Sequence, residues 1–127
     1  MQWHHAARSG DADALRALLA QGAVVDRLDR HGQSALMLAA RHGHLAAVQA
    51  LVAAGAALDI TAKYGLSALM LAVVNGHDAV ARALTSAGAN RCLRGTGAPG
   101  FAGRTAAELA ALQGLTDLAH CLAGDPA

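Results

Sequence analysis

Ala39-Ala40-Arg41-His42-Gly43 decides the reading of this chain, because it recurs. Ala6-Ala7-Arg8-Ser9-Gly10 precedes it and Ala72-Val73-Val74-Asn75-Gly76 follows it, so three glycines stand 33 residues apart. Gly114 ends a more divergent fourth version, 38 residues after Gly76, which implies five inserted residues before it. A fixed period of this size is the mark of a stacked-repeat architecture. One unit cannot bury its own apolar face, whereas a stack of units can.

Working outward from the glycines, each copy holds two short helical patterns. In the second copy Ser34 precedes the apolar run 35–40, and its hydroxyl is suited to accept from a free backbone N–H at a helix start. Ser67 and Thr105 stand at the matching places. The second pattern runs from His44 to Ala54 with apolar residues at Leu45, Val48, Leu51 and Val52, the spacing of one buried helical face. Gly22, Gly55 and Gly88 follow this pattern in successive copies, where a left-handed glycine closes a helix. A short extended piece and a polar turn then lead to the next cap.

At 54% hydrophobic but only 2% aromatic, the core must be built from Ala, Leu and Val, which suits thin layers. A net charge of +1 supplies no global field toward nucleic acid or membrane, so neither is expected as a partner. The first residues lack the basic and apolar regions of a signal peptide, and the longest apolar stretch, Ala68 to Val74, is too short to span a bilayer. Cys92 and Cys121 are too few for a disulfide framework. A cytoplasmic monomer is the expectation, and a composition rich in Ala, Leu, Gly and Arg fits a GC-rich bacterial genome.

These residues resemble the ankyrin repeat, whose unit begins Thr-Pro-Leu-His-x-Ala. The copies here read Ser34-Ala35-Leu36-Met37-Leu38-Ala39, Ser67-Ala68-Leu69-Met70-Leu71-Ala72 and Thr105-Ala106-Ala107-Glu108-Leu109-Ala110. Gly43-His44 and Gly76-His77 match the family's Gly-His between helices, and Gly22-Ala23, Gly55-Ala56 and Gly88-Ala89 its Gly-Ala after the second helix. The resemblance implies an all-α solenoid of four stacked helix-turn-helix repeats with short β-hairpin-like loops. Repeats of about 1–28, 29–61, 62–94 and 100–123 are expected in one domain, with a glycine-rich insertion at 95–103 and a frayed tail at 124–127. Polar second helices at both ends suggest caps and a complete array. Pro is replaced by Ala in the motif, and its His by Met37, Met70 and Glu108; only His4 keeps it, so modest stability is expected. The His at 44 and 77 is expected to bond its own turn.

Candidate chemistry is thin. The seven histidines form no group of three or four with ligand spacing, so no metal or other cofactor is expected. Gly95-x-Gly97-x-x-Gly100 has the spacing of a dinucleotide fingerprint but lacks the preceding strand and the later acid. The same loop, 94–105, nearly matches a phosphate-binding loop and leads into a helix start, which leaves an anion- or nucleotide-responsive regulator as the alternative function. Arg91 and Arg94 could activate Cys92, but no histidine base is near in sequence, and no enzyme is expected.

The resemblance implies a protein-binding adaptor that meets its partner on a concave side made of the loop fingers and the exposed face of each first helix. By position this side comprises Leu28, Arg30, His31, Gln33, Arg41 and His42; Lys63, Tyr64, Leu66 and Asn75; and Arg94, Phe101 and Arg104. Thr61, Val74, Leu112, Gln113, Arg8 and Ser9 extend it. The only Tyr and the only Phe both fall in these loops, where aromatic side chains make good anchors. Residues 90–104 hold Arg91, Arg94 and Arg104 with no acid, so the last finger reads as basic and suited to an acidic patch.

Overall fold

The computed structural model describes residues 2–62, 65–91, 93–96 and 103–123. Among them the chain forms eight α-helices: α1 (Trp3–Ser9), α2 (Ala12–Ala20), α3 (Ala35–Arg41), α4 (Leu45–Ala53), α5 (Ala68–Val74), α6 (Asp78–Ser86), α7 (Ala106–Leu112) and α8 (Thr116–Ala123). They make four helical pairs. The first helices α1, α3, α5 and α7 pack each on the next, and the second helices do likewise, giving a two-layer stack. The chain is therefore an all-α repeat solenoid.

The caps act as their register predicts. The hydroxyls of Ser34 and Ser67 accept from the N–H groups of Met37 and Met70 at 3.2 and 3.3 Å. Thr105 accepts from the Glu108 N–H at 3.3 Å while the Glu108 carboxylate reaches back to the Thr105 N–H, a complete capping box. Six consecutive residues of α3 (35–40) and six of α5 (68–73) are buried. Each of these helices lies between two neighbours and a second helix, which explains why it is apolar all round. Leu36, Leu51, Leu69 and Leu84 are among the largest fully buried side chains. Truncating any one to Ala leaves a cavity costing about 2–5 kcal/mol. Trp3 stands where Leu36 and Leu69 stand in later pairs and joins the same core.

Successive pairs are tied together in two ways. His44 and His77 do not bond their own turns, as the sequence reading expects. Each ring reaches back one pair, His44 Nε2 lying 2.9 Å from the Arg8 carbonyl and His77 Nε2 3.0 Å from that of Arg41. A ring in this position leaves room only for glycine beneath it. A Cβ on Gly10 would lie 2.5 Å from His44, and one on Gly43 would lie 2.6 Å from His77. Both glycines are also left-handed, at φ 79° and 75°. Gly76 shares the conformation, at φ 77°, but nothing lies within 4 Å of its Cβ position. Leu115 occupies the register of the histidines there. The second tie is a carboxylate: Asp26 accepts from the Ala57 N–H at 2.8 Å, and Asp59 from the Asn90 N–H at 2.7 Å.

The fingers between pairs are closed by backbone bonds: Asp29 N–H to Gln33 O (2.9 Å), Ala62 N–H to Leu66 O (3.0 Å) and Gly95 N–H to Arg104 O (2.9 Å). These are hairpin-like turns without an extended strand among the described residues. No helix among the described residues is long and apolar enough to cross a membrane.

Candidate binding face

The stack repeats the ends of its first helices in register. Arg8, Arg41, Val74 and Leu112 form one row, and Ser9, His42, Asn75 and Gln113 the next. Arg8 and Arg41 are exposed at helix C-termini, where a cation is favoured by the carbonyl ends. Val74 is half-buried, and Leu112 is 60% exposed. Ser9, His42, Asn75 and Gln113 are exposed.

The first finger is shaped by Asp29. Its carboxylate accepts from the N–H groups of His31 (2.8 Å) and Gln33 (2.9 Å), a turn that leaves Arg30 and His31 exposed. Burial would raise the Asp29 pKa, but the two N–H donors, with help from His4 and His31, outweigh it and hold the carboxyl below its ordinary value. His4 Nε2 lies 2.8 Å from the Arg27 carbonyl and moors this finger to α1. Between them opens a groove of about 500 Å³ lined by Gln2, His4, His5, Arg8, Asp29, Arg30 and His31. Leu28, 47% exposed, borders an adjoining recess with Trp3 and Arg27.

Charges on the two layers are treated differently. On the second helices Asp13 pairs with Arg16 (3.1 Å) and Asp78 with Arg82 (2.7 Å). Asp11, Asp26, Asp29 and Asp59 all accept from backbone N–H groups. Arg8, Arg30 and Arg41 have no ion pair or side-chain hydrogen bond among the described residues. His42 feels the result: burial first, then the charges of Arg41, His44, Arg8 and His77, hold its pKa below the ordinary imidazole value.

The structure corrects two expectations. Leu66 does not present its side chain on the surface. It is 5% exposed and packs into the core, because the residue before the Ser67 cap turns inward beneath the finger. Its counterpart Gln33 is half-buried and Arg104 half-buried. The last finger is also not a set of unpaired arginines. Arg94 donates to the Gly103 carbonyl and lies 3.3 Å from Glu108, and Arg91 donates to the Cys121 carbonyl at 3.3 Å. In the loop 94–105, Thr105 is engaged in the capping box and Gly95 in the finger closure. Lys63, Tyr64, Cys92, Phe101 and the tail 124–127 lie outside the described residues, as does most of the glycine-rich insertion.

Of the remaining expected contacts, Arg30, His31, Arg41, His42 and Asn75 are exposed, with the Asn75 amide donating to the Leu71 carbonyl at 2.8 Å. Sequence reasoning missed Gln2, His4 and His5 as groove walls. The available signal was that His4 and His5 lie in the first turn of the first copy's first helix, on the side of the stack that carries the fingers. No group of three or more His, Cys, Asp or Glu among the described residues could hold a metal ion.

A family model for ankyrin repeats, in three copies, matches residues 3–95. The fourth helical pair lies beyond that match. None of the curated proteins matches the chain.

Proposed function

Because this chain belongs to the ankyrin-repeat family, whose members are generally protein-interaction modules, we propose that it is a non-catalytic adaptor. In this reading it binds one partner protein on the concave face made by its first helices and fingers. The observation that supports this face over the other is the handling of charge. The second helices neutralise their own arginines, whereas Arg8, Arg30 and Arg41 are exposed and form no ion pair among the described residues. Unpaired cations beside a groove of about 500 Å³ leave complementarity to a partner. Tyr64 and Phe101 are proposed as aromatic anchors on the later fingers, with Lys63 beside Tyr64. A monomeric, cytoplasmic protein organised as one domain completes the proposal.

The experiment is site-specific photo-crosslinking in the source cell. A photoreactive residue at Arg30 or His42 is expected to yield one discrete protein adduct, and one at Gln49, exposed on α4, none. Adducts at Gln49 alone would place the partner on the other layer and sink the proposal. Replacing Tyr64 and Phe101 together by Ala is expected to weaken the complex by at least about 2 kcal/mol with little change in thermal unfolding, read by calorimetry.

A further inference from the structure

The row of first-helix ends changes chemistry along the stack, and it changes only once. Pairs one and two contribute Arg8 and Arg41; pairs three and four contribute Val74 and Leu112. The charged half is reinforced by the first finger, which holds Arg30 and His31 exposed at the groove that Arg8 also lines; Asp29 in the same groove is taken up by the N–H groups of His31 and Gln33. The apolar half ends in Leu112, one of three large hydrophobic side chains the fold leaves exposed among the described residues. Carboxylates are withheld from this row. Glu108, on the same helix as Leu112, is spent on the α7 cap and Arg94.

We infer that the face binds an extended partner segment of graded chemistry, acidic where it crosses the first two helical pairs and aliphatic where it crosses the last two. This rests on the first-helix face being the binding face. The dimensions set the length of the segment. Neighbouring helices pack about 8–10 Å apart, so four first helices span roughly 25–30 Å, which about eight or nine extended residues cover at ~3.3 Å each. Carboxylates about three residues apart meet Arg8 and Arg41, and aliphatic side chains at the same interval reach Val74 and Leu112. The charged half governs capture and orientation, because rim cations act mainly on association. The apolar half gives the segment area to bury. A uniformly acidic segment would leave its distal carboxylates against Val74 and Leu112 without a cation, and a uniformly apolar one would leave Arg8 and Arg41 covered but unpaired.

Selection of random displayed peptides on the intact chain tests this. Enriched peptides are expected to carry their acids in one half and their aliphatic residues in the other. Selection on Arg8→Glu/Arg41→Glu should exchange the acids for Lys or Arg and keep the aliphatic half. Selection on Leu112→Ser should do the reverse. For one enriched peptide, the double charge reversal should slow association by about tenfold at low salt and far less at high salt. Far-UV circular dichroism checks that both variants keep their helices. If peptides are enriched without this segregation, or the double variant still selects acids, the gradient is wrong while the binding face stands. If nothing is enriched over an unrelated bait, both readings fall.

Discussion

The joint between the second and third helical pairs and the joint between the third and fourth do the same work by different means. At the former, His77 lies over Gly43 and bonds the Arg41 carbonyl, while Asp59 holds the Asn90 N–H in the fingers alongside. At the latter, Leu115 stands in the histidine's register and Cys92 in the aspartate's. Arginines bridge instead, Arg94 to Glu108 and Arg91 to the Cys121 carbonyl. The difference teaches that two ingredients hold such a stack. Apolar contact between layers is common to every joint. The polar interlock is an addition, made from half-buried histidine rings and finger aspartates at the earlier joints and from exposed arginines at the last.

The comparison can be broken most sharply at the glycines. Gly76→Ala is expected to cost about 1–2 kcal/mol, the price of a left-handed alanine in open space. Gly43→Ala has the same backbone penalty and a Cβ driven into His77, so it should cost about 3 kcal/mol or more in urea unfolding. Equal costs would mean that the ring simply moves aside. His77→Ala is next: it should cost about 1 kcal/mol by removing the bond to the Arg41 carbonyl, yet it should rescue part of the Gly43→Ala loss in the double variant. Strict additivity would refute the interlock.

A smaller effect concerns Asp29 in the first finger. Its folded pKa lies below the ordinary value, so its contribution is full above about pH 4 and is lost as pH falls through the folded value. Between about pH 5 and pH 3 the wild-type chain should therefore lose more stability than Asp29→Asn, measured by urea midpoints. Parallel curves would show that the finger N–H groups do not hold the charge. The smallest change is expected from Arg94→Ala at the last joint. Its ion pair is exposed on both sides, and such pairs contribute little, so the melting temperature should barely move.

Much of the fold is legible in the sequence. Glycines at a fixed step and hydroxyl residues at matching places located the caps, and those are local effects that neighbouring residues report. The interlock was not legible, because His44 and Arg8 are 36 residues apart and nothing in the spacing distinguishes a ring bonded forward from one bonded back. Leu66 was misleading for a related reason. Its register holds Gln33 in one copy and Arg104 in another, so the position looked like display although the leucine turns into the core. Arg94 reads as unpaired in the sequence because its acid, Glu108, lies beyond the finger and 14 residues along the chain. The candidate face was legible in outline as a series of register positions. Its division into a charged and an apolar half emerged only when the internal partners of each charge were known.

The histidine over the glycine also governs how this chain could change length. A ring from one pair seated on a glycine of the pair before works as tongue and groove, and the two parts belong to different copies. Duplicating or deleting one full period preserves every tongue with its groove, whereas an insertion inside a helical pair, between the first helix and the turn that carries the ring, pulls them out of step. The five extra residues between Gly76 and Gly114 fall at the joint that lacks a tongue. Interlock and variable length thus fall at different joints here, and the third finger, which already carries extra residues, is the natural place for a graft of new loop sequence.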